Sequence, residues 1–94
     1  SPEELALGEE VFVENCQTCH GEGAGGGLAG PPLTHEIYRD LRDEDIRAAI
    51  RNGVPQKNWD FAPMVPIPGL GDTEVAAVIR YVRTQQEEAW SDDG

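Results

Sequence analysis

The sequence predicts an all-α domain of three main helices plus a short one. Apolar residues recur at helical spacing within 1–15, 43–52 and 72–88. No run alternates apolar and polar residues as a half-buried strand would. The stretches between the helical segments are too rich in glycine and proline to be regular. The 94 residues make one domain, 1–94, with neither an internal repeat nor a linker.

Each element has a local reason. In 1–15, Ser1 is the expected cap, Pro2 suits the first helical position, and Glu4 completes an S-x-x-E capping box. Leu5, Gly8 and Phe12, with Val11 beside them, form the expected inner face. Residues 21–34 hold six glycines and two prolines, which predicts a loop wrapped closely past something. One short turn of helix is expected in 35–41, around Ile37, Tyr38 and Leu41. In 43–52, Asp43 is the expected cap, Ile46, Ala49 and Ile50 the buried stripe, and Gly53 the stop. Four prolines in 54–70 forbid a helix and predict a stiff, extended loop carrying Trp59, Phe61 and Met64. In 72–88, capped by Gly71 or Asp72, Val75, Val78, Ile79 and Val82 share one face with Tyr81 beside it. The acidic tail 87–94 is expected to fray, with Trp90 as its anchor candidate.

The charge balance excludes whole classes of partner. Eighteen acidic residues face seven basic ones, for a net charge of −11. Phosphate binding needs basic clusters, so nucleic acid is ruled out and an anionic membrane surface is disfavoured. No apolar run is long enough to span a bilayer. Arg39, Arg42 and Arg47 are expected in exposed ion pairs with Asp40, Asp43 and Asp45, each worth little.

The most specific signal is Cys16-Gln17-Thr18-Cys19-His20, a C-x-x-C-H sequence. It is the attachment signature of a c-type haem. Two thiols at this spacing can each form a thioether to a haem vinyl group, and the following His20 supplies an axial nitrogen to the iron. Other uses of the cysteines fit less well. A thioredoxin-like pair needs a βαβ context. A zinc site would have to use His20 and His35, which lack the usual ligand spacing. A disulfide closing so short a loop restricts the unfolded chain little. A covalent haem would also give a small chain a large apolar body to close around.

With that motif between the first and last helices, the chain resembles the class I c-type cytochromes, small bacterial monohaem proteins with His/Met ligation. Gly8, Phe12 and Cys16 stand four apart, with Tyr81 as their counterpart on the last helix, and Gly30-Pro31-Pro32-Leu33 resembles the family's G-P-x-L segment. The resemblance implies that the glycine lets the two terminal helices cross closely. It implies that the Pro31 carbonyl accepts from His20 while Leu33 packs on the haem. It also implies that Met64, the single methionine, is the second axial ligand, although Val65 stands where the family usually has proline. The competing reading of Met64 is a core gap-filler, and His35 is the rival ligand. Tyr38, Arg51 and Trp59 are candidates to hydrogen-bond the haem propionates, as such side chains do in many of these proteins.

The expected function is single-electron transfer by one covalent haem c, between respiratory or dehydrogenase partners, with no substrate transformed. Two alternatives stand beside it. One is the haem domain of a larger redox enzyme. The other is a haem protein with an open sixth position, a gas binder or peroxidase. The expected partners are redox proteins presenting a basic docking patch to a monomer. Haem attachment to this motif normally takes place outside the cytoplasm, which implies a periplasmic or other extracytoplasmic mature chain without signal peptide or anchor.

Overall fold

Helix α1 spans Pro2–Asn15 and begins where the Ser1 hydroxyl accepts the Glu4 N–H at 3.2 Å. The structure, a computed structural model, describes residues 1–91. Gly8, Val11 and Phe12 face inward. Leu5 does not, contrary to expectation: it is exposed, while Leu7 packs against the core. A one-turn helix, α2 (Gln17–His20), follows almost directly and stops at Gly21. The glycine-rich stretch is irregular, apart from a 3-10 turn at Glu22–Ala24. A second 3-10 turn, Glu36–Tyr38, is the short element expected in 35–41.

Helix α3 occupies Asp43–Asn52, with Ile46 and Ile50 buried and Gly53 at its end. Its cap is Arg42 rather than the expected Asp43. The Arg42 N–H donates to the Asp45 carboxylate at 3.0 Å, and the Arg42 side chain pairs with Glu44 and Asp45. These contacts hold the Asp45 carboxyl below its ordinary range, the backbone hydrogen bond first among them. Asp43 is instead the first helical residue, and it receives Arg83 from the last helix.

The proline-rich stretch is extended, as its composition requires, and it is also tied down. Val54 and Met64 form an isolated antiparallel bridge, exchanging N–H···O bonds of 2.9 and 2.8 Å. The Ile67 N–H then returns to the Ile50 carbonyl at 2.9 Å. Nothing in the sequence pattern pointed to this pairing.

Helix α4 spans Asp72–Trp90 and starts at Gly71, whose N–H donates to Glu74 at 2.9 Å. Val75, Ala77, Val78, Ile79, Tyr81 and Val82 are buried on its inner side. Its main partner is α1. At the crossing a Cβ on Gly8 would lie 2.1 Å from the Ala77 carbonyl oxygen, so only glycine fits there. The Phe12 and Tyr81 rings meet beside it at 5.2 Å between centroids.

The fraying expected from 87 onward is corrected for 87–90, which continue the helix. The Trp90 indole N–H donates to the Thr34 carbonyl at 2.8 Å, and the Arg39 guanidinium lies 4.8 Å over its ring. Residues 92–94 lie outside the described residues.

Candidate cofactor site

The end of α1, helices α2, α3 and α4 and the 54–64 loop enclose a cavity of about 510 Å³. That volume belongs to the size class of cofactor sites. Phe12, Leu33, Ile46, Ile50, Val78 and Val82 give it an apolar lining. Cys16, His20, Pro31 and Met64 also line it. A smaller void of about 210 Å³ shares these four residues and adds Cys19. The two cysteines, the histidine and the methionine expected from the sequence therefore converge on one region.

α2 positions the first three of them. The chain turns from α1 into α2 at Cys16, whose carbonyl accepts from the N–H groups of Cys19 and His20. Cys16 is half-buried, and Cys19 is exposed. Both thiols are free. Burial, with the Cys19 charge adding to it, pushes the Cys16 thiol up to about 11.

His20 is only 9% exposed, and its Nδ1 lies 2.9 Å from the Pro31 carbonyl oxygen. A carbonyl only accepts, so Nδ1 carries the proton and Nε2 keeps a lone pair. This is the tautomer an iron ligand needs, oriented by an outer acceptor. The approach depends on Gly30, where a Cβ would stand 2.9 Å from the Cys19 carbonyl oxygen and 3.1 Å from His20 Nδ1. The Pro31 carbonyl thus meets His20, and Leu33 lines the cavity. Met64 reaches the same cavity from the bridge with Val54. The donor set is one imidazole nitrogen, one thioether and two thiols around a largely apolar space. It fits haem c.

The remaining candidates divide. Tyr38 and Trp59 both line the cavity, and the Trp59 N–H donates to the Tyr38 hydroxyl at 2.9 Å. The Tyr38 hydroxyl accepts that bond and keeps its own proton to donate. Burial holds this phenol above its ordinary value, with the Trp59 bond opposing.

Arg51 is a correction, because it does not line the cavity. Its guanidinium binds the Leu70 carbonyl and the Asp72 carboxylate, tying α3 to the start of α4. The cation that does line the cavity is Lys57. His35 is also placed elsewhere. It accepts the Ile37 N–H at 3.1 Å and meets Trp59 edge-on at 5.3 Å.

Sequence reasoning missed Gln86. It lines the cavity at 1% exposure, with both ends of its amide hydrogen-bonded. Its setting in Gln85-Gln86-Glu87-Glu88 reads as a solvated face. The only available signal was helical phase, since Gln86 lies one turn past the buried Val82.

Residues 3–82 match the family described as cytochrome c oxidase, cbb3-type, subunit III. The chain is 33% identical over 90 residues to cytochrome c6 of Euglena gracilis, covering 89% of this chain and 95% of that protein. It is 30% identical over 82 residues to the cbb3-type cytochrome c oxidase subunit CcoP of Rhodobacter capsulatus, covering 82% of this chain and 28% of the subunit. A stretch of 89 residues is 33% identical to dihydro-heme d1 dehydrogenase of Pseudomonas aeruginosa, spanning 92% of this chain and 17% of that protein. The fold is similar to the crystal structure of cytochrome CL from the marine methylotroph Methylophaga aminisulfidivorans, with a TM-score of 0.65 at 22% identity. That alignment covers 98% of this chain and 66% of the other.

Proposed function

Because the chain belongs to the c-type cytochromes, in the family of cytochrome c oxidase, cbb3-type, subunit III, and so carries haem c, we propose that it is a single-electron carrier whose haem is attached through Cys16 and Cys19 and ligated by His20 and Met64. The observation that carries this reading is the convergence of Cys16, His20 and Met64 on one apolar cavity, with Cys19 on the smaller void beside it. Bound haem supplies one-electron chemistry at iron. The protein's residues do the rest. The Pro31 carbonyl holds the His20 proton at Nδ1 and raises the basicity of the free nitrogen. The Val54 bridge fixes the backbone of Met64, which supports a sixth ligand that stays in place. Phe12, Val78 and Val82 keep water out. Tyr38, whose hydroxyl keeps its proton to donate, and Lys57 are the groups offered to the propionates, and Trp59 serves by holding Tyr38.

In this reading the protein works as an extracytoplasmic monomer between respiratory or dehydrogenase partners, and no substrate is transformed. Its charge of −11 suits a partner that presents a basic docking patch. A second reading is favoured by the lengths of the relatives. The chain covers 28% of CcoP and 17% of the dehydrogenase, which suits a haem domain working inside a larger redox protein. The mass of the native complex separates the two.

The test is the visible spectrum of both redox states. Met64→Ala should lose the long-wavelength sulfur-to-iron band of the oxidised protein and lower the potential, because a soft ligand favours reduced iron. An unchanged spectrum would remove Met64 from the iron. The double variant Cys16→Ala/Cys19→Ala should carry no haem through denaturing electrophoresis, and retained haem would refute the attachment.

A further inference from the structure

Gln86 and His20 are the buried polar side chains among the described residues. His20 has a use in the proposed function; Gln86 does not. Its amide oxygen accepts from Arg83 Nη1 at 2.7 Å, and its amide nitrogen donates to the Leu33 carbonyl at 3.0 Å. The orientation is forced, because a guanidinium can only donate and a carbonyl can only accept. Arg83 is fixed in turn. Its Nε donates to Asp43 at 2.8 Å and its Nη2 to the Leu41 carbonyl. One guanidinium on α4 thus grips the first residue of α3, the chain just before it, and Gln86.

The far end of this network is the segment that holds the histidine. Leu33 follows Pro31 by two residues, and the Pro32 ring locks one of the backbone rotations between their carbonyls. A shift of the Leu33 peptide is carried to the Pro31 carbonyl through this short, stiffened link. The Leu33 N–H is held on its other side by the Ala24 carbonyl at 2.9 Å. Gln86 supplies the bond from α4, and the Pro31 carbonyl is the acceptor for His20 Nδ1.

We propose that Gln86 is a positioning residue for the proximal histidine: by holding the Leu33 carbonyl it sets the Pro31–His20 hydrogen bond, and with it the donor strength of the imidazole and the potential of the iron. The inference rests on the haem reading above. It explains why a polar side chain is kept in an apolar wall, where an unpaired amide would be costly. In this role Gln86 acts through Leu33 and Pro31.

The experiment uses the holoprotein, with the His20 ring N–H followed by NMR hydrogen exchange and the potential by redox titration. Gln86→Met keeps the volume and removes both hydrogen bonds. Exchange of the ring N–H should quicken by about tenfold, the scale of one net hydrogen bond. The potential should rise, because a less polarised imidazole donates less to iron. Gln86→Glu keeps the Arg83 contact and, while ionised, cannot donate to Leu33. It should quicken exchange alike, and it serves where the methionine variant does not fold.

Trp90→Phe removes the neighbouring bond to Thr34 and should leave both readouts at wild type. If Gln86→Met leaves exchange and potential unchanged, or if Trp90→Phe shifts them equally, the positioning role is overturned. A wild type whose His20 is not on the haem iron overturns the haem reading as well, so the two failures are distinguishable.

Discussion

At the scale of single residues, the site depends on where protons and charges are held. The proton on His20 Nδ1 is tied to the Pro31 carbonyl, which frees the other nitrogen. Two cations, Arg51 on α3 and Lys57 after it, show how differently long side chains can be used. Arg51 is committed to Leu70 and Asp72, whereas Lys57 lines the cavity. A positive charge near the haem favours the reduced state, since reduction lowers the positive charge on the iron. Lys57→Gln is therefore expected to lower the potential. Arg51→Gln should leave it unchanged and cost at most about 1 kcal/mol of stability, the range for exposed ion pairs. Redox titration and thermal melts check both, and a larger potential shift in the Arg51 variant would reverse the assignment. The sequence shows a cation near the end of α3, not the direction in which the long Arg51 guanidinium folds. Its partner Asp72 lies 21 residues away.

At the scale of elements, the crossing of α1 and α4 is the contact with least tolerance. A Cβ on Gly8 would meet backbone at Ala77 O, and backbone cannot step aside as a side-chain tip can. Gly8→Ala should cost about 1–3 kcal/mol. The melting temperature should fall by about 4–8 °C for each kcal/mol. A melt equal to wild type would mean that the helices can part without loss. This contact was foreseen through the resemblance to the class I c-type cytochromes, which pairs Gly8 and Phe12 with Tyr81 at a helix crossing. Helix α3 was legible to its ends, since a charged start and Gly53 bracket a clear apolar stripe. The Val54–Met64 bridge was not, because one rung of pairing leaves no periodicity. The end of α4 was also hidden. Trp90 is anchored by a carbonyl 56 residues earlier, and no local signal records that. The motif displayed Cys16, Cys19 and His20 directly, whereas the Gln86–Leu33 hydrogen bond joins residues 53 apart.

At the scale of the whole molecule, acidic charge dominates. The Tyr81 phenol is held above its ordinary value by burial first, and then by Glu9, Glu22 and Glu88, which belong to three different elements. Carboxylates from α1, the 3-10 turn at 22–24 and α4 therefore act on one spot. Three of the seven cations, Arg42, Arg51 and Arg83, are in ion pairs with acidic side chains of the same chain. Encounter with a basic partner should be steered by this field. The second-order electron-transfer rate is expected to fall steeply as salt rises, since screening shortens the reach of charge to about 8 Å near physiological ionic strength. A flat or rising rate would leave apolar docking as the driving contact. The Val54–Met64 rung has a consequence of another kind. It closes residues 55–63 into a flap whose two ends hang from the same peg. Doubling the length of such a flap costs only about 0.6 kcal/mol in closure entropy. Its outer contour can thus be rewritten, to suit one visitor or another, while Met64 keeps its station beside Val54.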